Sequence, residues 1–474
     1  MTGQTVERTT AGTPVPVGWR ARRAGAVVWA IFNRVTFLAL AASALSVTVW
    51  PEVDPIGLAF AALALVLVLV AWRLAHRRSF DRFVGFRARS AWRSRMVYRR
   101  RWAMTMLTCG LTVNVGGGSQ AVPRLARVRS IRQADRVTVA LLVGQVVDDF
   151  AAVADRLAQT FGAIDCRVTP DLRRRERVML TFMVADPLVQ FIAPLTPPEI
   201  PNLAAVAVAV GEDGSPVQLR LLGTHVLLVG ATGAGKSSVV WALLHAIGPL
   251  VASGVVRVWV VDPKGGMELA AGQPMFTRFC HGEGTDGASH ELAYAELLED
   301  AVTVMRERQA RMRGIARLHT PTVVEPLVLV IVDELAALTA YVADRDAKRR
   351  ISSALSLLLS QGRAVGLSVV AAIQDPRKET LPSRDLFPTR VGLRMVDGDQ
   401  VDMVLGDGAR RRGARCDAIP EALPGVAYIA RDGTAACQRV RFPRMDDDTV
   451  AALTAAYPAA PPVGFVPLSA VKSA

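Results

Sequence analysis

Cysteine is scarce in this chain of 474 residues: five cysteines, at 109, 166, 280, 416 and 437, stand far apart and form no C-x-x-C pair. That spacing excludes a disulfide framework and a structural zinc site. Six scattered histidines offer no other metal constellation, and no internal repeat is visible. Acids are nearly missing from one stretch, because eleven arginines and a single acid, Asp81, lie between Arg73 and Arg101. About +10 of the formal net charge of +14 therefore sits in 29 residues. Its ordinary reading is attraction to anionic lipid headgroups, worth about 1 kcal/mol per residue near a surface. A channel for a nucleic-acid backbone is the sharper alternative.

What the chain has in excess is apolar residues, 51% of the total, more than a soluble domain usually carries. Uncharged runs at Val35–Trp50, extendable back to Ala26, and at Ile56–Trp72 each approach the roughly 20 residues that cross a bilayer. Only Pro51–Pro55 separates them, so a transmembrane helical hairpin is expected over residues 26–76, with arms at about 27–50 and 56–74. Arg20, Arg22 and Arg23 precede it and Arg73, Arg77 and Arg78 follow it, while the connector holds only Glu52 and Asp54. The positive-inside rule then places both ends in the cytoplasm, in a multi-pass plasma-membrane protein. A signal peptide cleaved near Ala42-Ser-Ala44 is the competing reading.

Residues 1–25 read as a disordered tail. Residues 77–130 read as a basic juxtamembrane linker, where Phe80, Phe83, Phe86, Trp92 and Trp102 among the arginines suit a helix lying on the membrane surface. Residues 131–195 read as a small α+β module: Arg136–Val143 alternates like a strand, Val147–Phe161 has helical spacing, and Val178–Val184 is a strand again. The prolines of Pro194–Pro201 make a linker. From 200 to 445, apolar runs at His225–Val229, Val255–Val261, Leu327–Val332 and Leu367–Ile373 alternate with helical stretches, as in a parallel sheet buried on both faces. Residues 446–474 read as a C-terminal tail.

Directly behind the first of those runs stands Gly230-Ala-Thr-Gly-Ala-Gly-Lys-Ser237, a complete G-x-x-x-x-G-K-S loop. Its glycines let successive N–H groups of Gly230, Ala231, Thr232, Gly233, Ala234 and Gly235 turn toward a polyphosphate. Lys236 supplies a charge for the β- and γ-phosphates and Ser237 a hydroxyl for Mg²⁺. Ser238 continues the helix whose N-terminal dipole favours the anion. The third run ends in Asp333-Glu334, the form of a Walker B pair, with Asp333 on Mg²⁺ and Glu334 orienting the attacking water. Gln374 ends the fourth run and is the candidate γ-phosphate sensor. Arg363 and Arg390 are the two candidates for an arginine acting across a subunit boundary, and sequence alone does not rank them. The expected fold class is α/β: a RecA-like P-loop NTPase motor with a mostly parallel central sheet, preceded by the small module and the hairpin.

These motifs, with Val261-Asp-Pro-Lys-Gly-Gly-Met-Glu-Leu269, Gly362–Gly366, Ala372–Pro376 and Thr389-Arg390, resemble the FtsK/SpoIIIE family of membrane-anchored DNA translocases. The N-terminal half, including Gly144–Phe150, is more similar to the transfer (Tra) proteins of actinobacterial conjugative plasmids and integrative elements. The resemblance implies a hexameric ring around double-stranded DNA, driven by ATP with Mg²⁺ and aided by accessory transfer proteins. It matches Arg363 to the family's trans arginine, Arg390 to a further interface arginine, and Asp262 and Lys264 to a signature of the nucleotide site. The implied function is conjugative DNA transfer between cells. Chromosome segregation, a type VII-like protein secretion ATPase and a nucleotide-gated scaffold are the rivals. Intact Glu334 argues against the scaffold.

Overall fold

The computed structural model describes residues 55–116, 119–131, 133–171, 173–282, 290–377, 380, 383–434 and 436–461. The expected N-terminal tail and the first hairpin arm lie outside the described residues. Two compact units divide the chain, Met1–Ala91 and Trp92–Ala474.

In the first unit a 21-residue helix, Pro55–Ala75, opens on proline, whose fixed φ and missing N–H suit a first helical turn. Leu63, Leu65, Leu67, Val68 and Val70 on it are exposed. Among the described residues no helix is long and apolar enough to cross a membrane; several side chains in the first turns of Pro55–Ala75 are outside the described set. Trp72 closes the helix by donating its indole N–H to Ser79 Oγ at 2.8 Å and meeting Phe80 edge-on.

The second unit begins with a module larger than its sequence boundaries of 131–195. Strands β3 (Arg124–Ser130), β4 (Ala134–Ala140), β6 (Arg177–Met183) and β5 (Asp165–Pro170) form an antiparallel sheet in that spatial order. A short hairpin, β1 (Val113–Gly116) and β2 (Ser119–Ala121), precedes it. The helices Val147–Ala152 and Ala154–Thr160 bury Phe150 and Leu157. The segment expected to be a linker supplies the other half of this core. Tyr98, Trp102 and Met106, four residues apart, are a buried helical stripe against Phe161 and Phe182. Trp102 donates to the Pro123 carbonyl at 2.7 Å. Tyr98 and Ser130 donate to the buried carboxylate of Asp135, which also pairs with Arg93. The linker expectation is thus corrected from about residue 93 onward: only a periodicity that included Tyr98 would have separated the core face from the arginine face.

The motor sheet has ten strands in the order β11-β10-β12-β13-β9-β14-β15-β16-β7-β8. Six run parallel: β11 (Phe276–Cys280), β10 (Val256–Val261), β12 (Leu327–Val332), β13 (Leu367–Ile373), β9 (Val226–Val229) and β14 (Thr389–Gly392). The others, β15 (Val426–Arg431), β16 (Gln438–Arg441), β7 (Val206–Gly211) and β8 (Pro216–Leu219), continue it antiparallel. Every residue of β9, β12 and β13 is buried, because helix Lys236–Ala252 covers one face and helices His290–Met312 and Arg345–Gln361 the other. Burying each such Val, Leu or Ile contributes about 1.5–3 kcal/mol, so the unbroken apolar runs are what the sheet requires. The mostly parallel α/β architecture agrees with the sequence reading.

Residues 446–456 are part of this domain, which corrects the expected tail. Asp446 caps helix Asp447–Ala456 by accepting from Thr449 N, and Val450 and Leu453 are buried on the motor. Tyr457 packs so closely on Gly248 that a Cβ there would stand 2.3 Å from its ring.

Ion pairs join module and motor. Arg167 of β5 clasps Glu212 of the β7–β8 turn, and Arg439 of β16 grips Asp186 through two bonds of 2.7 and 2.8 Å. Arg439 also reaches Glu212 at 3.2 Å, and Arg415 reaches Asp155 at 2.5 Å.

A fragment starting at residue 131, without β3 and the stripe of Tyr98, Trp102 and Met106, should lose the cooperative melt of the module. A fragment starting at Trp92 should keep the cooperative transition.

Candidate nucleotide site

Because β9, β10, β12 and β13 run parallel, the residues that follow them emerge at one edge of the sheet. There the structure brings together Gly230–Ser237, Asp262–Lys264, Asp333-Glu334 and Gln374. The loop turns where Gly233 and Gly235 take φ of 73° and 98°. At Gly235 a side chain is excluded twice over, since a Cβ would also meet the Gly425 backbone nitrogen at 2.6 Å. Ala234 binds the same neighbour, its carbonyl accepting Gly425 N at 2.9 Å. Ala231 N donates to the Arg394 carbonyl, while Thr232 and Gly233 form the exposed tip.

Lys236 and Ser237 open the 17-residue helix Lys236–Ala252, with Ser238 in its first turn. The buried Lys236 ammonium donates to the carbonyls of Gly230 at 2.7 Å and Ala231 at 3.3 Å. Burial holds its pKa below the ordinary lysine value, against the attraction of Glu334 and with Lys264 adding repulsion. Ser237 Oγ donates to Glu268 Oε2 at 2.5 Å. Thr232 Oγ1 donates to Gln374 Oε1 at 2.9 Å, so the candidate sensor touches the loop. Gln374 N in turn donates to Glu334 Oε1 at 3.4 Å.

Asp333 and Glu334 are only 2% and 8% exposed, and burial raises both carboxyl pKa values. Lys264 counters this: its ammonium donates to Asp333 Oδ2 at 2.8 Å and lies 3.8 Å from Glu334 Oε2. Burial works against that ammonium, but the Asp333 bond and the charges of Asp333, Glu334 and Glu268 outweigh it, so its pKa is raised. The proline-containing turn after β10 therefore delivers a cation to the two acids. Asp262, expected among nucleotide-binding residues, does something else. It is fully buried, and its carboxylate accepts Lys264 N and Leu269 N, pinning the loop that carries Lys264 and Glu268.

The chemistry of this edge suits Mg²⁺. Among the described residues no cluster of three or more metal-ligating side chains exists. Mg²⁺ asks for less, one or two carboxylates with phosphate oxygens and water. Asp333 and the Ser237 hydroxyl supply that set, and Glu334 Oε2 is buried with no hydrogen-bond partner.

Two expected residues lie elsewhere. Arg363 is exposed in the 3₁₀ turn Gly362–Val365, ahead of β13. The strand's seven residues separate it from Gln374 by about 20 Å. Arg390 sits within β14, and its guanidinium donates to the Val404 carbonyl at the end of helix Gly398–Leu405, 3.2 Å away. Its register places it beside Leu227 of β9, and its Nε is buried with no hydrogen-bond partner among the described residues. Arg394, which sequence reasoning missed, does reach the loop, donating to the Thr232 carbonyl at 2.9 Å and pairing with Glu421 at 3.4 Å. Glu268 was missed as well. Arg394 follows β14 by two residues and Glu268 follows β10 by seven, and no local sequence signal marks either.

Lys264→Met should leave two buried acids without their cation and destabilise the nucleotide-free protein by about 1–3 kcal/mol, discounted for the partial exposure of Lys264. Thermal melts with and without Mg²⁺ and a nucleotide check this: the deficit should shrink when Mg²⁺ replaces the missing charge.

Comparison with known proteins adds the family. The FtsK/SpoIIIE family matches over residues 201–320. "DNA translocase FtsK" of Streptomyces avermitilis is 30% identical over 264 residues, 44% of this chain and 28% of that protein. "ESX secretion system protein EccC" of Thermomonospora curvata is 26% identical over 235 residues, 43% of this chain and 16% of that protein. The chain thus spans under a third of the length of these two relatives. Among solved structures, "pCW3 conjugation coupling protein TcpA monomer form with ATPgS" has a TM-score of 0.46 at 18% identity, covering 74% of this chain and 95% of that one. Residues 201–320 match the FtsK/SpoIIIE family, a family of P-loop ATPases.

Proposed function

We propose that this protein is a membrane-anchored, ATP-driven translocase of double-stranded DNA that serves conjugative transfer between cells. The observation that carries the reading is the meeting of Lys236, Ser237, Asp333, Glu334 and Gln374 at one sheet edge, in contact through Thr232–Gln374 and Gln374–Glu334. In this reading the loop N–H groups and the helix N-terminus bind the polyphosphate, and Lys236 exchanges its loop carbonyls for phosphate oxygens. Ser237 and Asp333 would hold Mg²⁺, whose part is to neutralise phosphate charge. Glu334 orients water for attack on the γ-phosphorus, and Gln374 links the state of that site to β13.

Arg363 stands at the far end of β13 and does not serve its own loop; a guanidinium in that place can complete only a neighbour's site. The reading therefore includes a ring, hexameric by the family resemblance. The named activity of the FtsK relatives supports DNA as the cargo. The exposed leucines and valines of Pro55–Ala75 and the arginines after them support an anchor in the plasma membrane, a hairpin with both termini and the motor in the cytoplasm. The transfer role rests on the resemblance of the N-terminal half to actinobacterial Tra proteins. Similarity to EccC favours protein export as the second reading.

An ATPase assay on the chain from Trp92 onward, with duplex, single-stranded and no DNA, separates the two. Several-fold stimulation by duplex is expected, and turnover indifferent to DNA would leave export standing instead. Lys236→Ala should abolish turnover, a loss of about 10²-fold or more. Glu334→Gln should bind nucleotide yet fail to hydrolyse it, and single-turnover measurements distinguish the two defects.

A further inference from the structure

Helix His290–Met312 carries a buried arginine, Arg308, which is only 4% exposed. It makes no hydrogen bond to a carboxylate among the described residues. Instead Nη1 donates to the carbonyls of Val365 at 3.0 Å and Gly366 at 3.1 Å, and Nη2 to that of Pro326 at 2.6 Å. Burial pushes its pKa down to about 10, with Glu325 opposing, so it stays charged at neutral pH. Burying a guanidinium on backbone carbonyls alone is costly before compensation. A hydrophobic residue would fill the space without that cost.

The Val365 and Gly366 carbonyls lie two and three residues after the candidate trans arginine. After Arg363 the chain runs Ala364, Val365, Gly366, and all three carbonyls are held: Ala364 by the backbone N–H of His319 at 2.8 Å, Val365 by Arg308, and Gly366 by Arg308 together with the backbone N–H of Val328 at 3.0 Å. Gly366 turns with φ of 76°, and a Cβ there would meet the His319 ring at 2.2 Å and Arg308 Nη1 at 3.0 Å. The Pro326 bond fixes the same guanidinium to the root of β12, the strand that ends at Asp333-Glu334. Arg363 thus stands on a turn with every following carbonyl fastened, although its own side chain is exposed.

We propose that Arg308 is a positioning residue for Arg363, fastening the Gly362–Val365 turn so that the Arg363 guanidinium is presented in one place to the neighbouring subunit's nucleotide. The proposal rests on the reading of Arg363 as a trans arginine. A flexible mount would spend part of the gain of 10³–10⁵ that such a guanidinium can supply on ordering the group.

A double-mutant cycle on the full-length protein tests this. Arg308→Lys keeps the charge and loses the planar fork; it should lower DNA-stimulated kcat by about tenfold or more, with nucleotide affinity unchanged within twofold. In an Arg363→Ala background the same substitution should change kcat by less than twofold, because the group it positions is gone. Multiplying effects in the double variant, or an Arg308→Lys enzyme within twofold of the unaltered one, would overturn the proposal. Gly366→Ala, which displaces the turn and keeps Arg308, should behave the same way in the cycle. Loss of the cooperative melt in both variants would make Arg308 a strut of the fold and also overturn it. Failure of the underlying reading shows separately. Arg363→Ala subunits mixed with Glu334→Gln subunits should regain activity, and if they do not, Arg363 is not a trans group and the positioning role falls with it.

Discussion

Strands that run side by side in one direction must release their chains at the same edge, and the nucleotide site follows from that single geometric fact. The register of β10, β12, β13 and β9 aligns Val261 with Val332, Val332 with Ala371, and Ile373 with Val229. Groups separated by more than a hundred residues of sequence thereby become neighbours. The ladder is held by apolar burial on both faces, so the polar groups can act only where it ends. A change in the register of one strand would move its acids or its sensor by a residue and reverse the face they use.

Crowding two carboxylates at the end of a buried strand creates an electrostatic problem that shapes the surrounding loops. Asp333 and Glu334 are shielded from water, so each favours a proton unless a cation is close. Lys264 and Lys236 answer that need from two different loops, and each loop is pinned by its own bonds, Asp262 to the Lys264 and Leu269 amides and Arg394 to the Thr232 carbonyl. Mg²⁺ and a polyphosphate would redistribute this charge without new carboxylates. The signature Asp-Pro-Lys turn therefore has two physical tasks, one residue holding the loop and the other countering the acids.

Much of this was legible in the sequence. The glycine loop, the acids closing β12 and Gln374 closing β13 all follow strands whose almost wholly apolar character announces burial. Less legible were contacts that depend on strand order. Arg394 matters because β14 lies next to β9, and Glu268 because the loop after β10 folds back to Ser237, and no local pattern states which strand lies next to which. Arg390 looked equivalent to Arg363, yet its guanidinium donates to a carbonyl at a helix end. The module boundary was misplaced for a different reason: Tyr98, Trp102 and Met106 are interleaved with arginines whose charge dominates any average over the window, so a core stripe read as a membrane face. The final helix was short and weakly patterned, and its buried Val450 and Leu453, with Tyr457 on Gly248, show that it belongs to the motor.

The seam between module and motor has a consequence for inheritance. Its partners alternate in sign across the boundary, with Arg167 and Asp165 on the module side meeting Glu212 and Arg415 on the other, and Arg439 answering Asp186. A recombination event that exchanged one half for a homologous half with different charges would place like charges against each other in a partly dehydrated joint. The two halves should therefore have descended as a matched set, and lineages that exchange DNA-handling parts freely should swap this pair together.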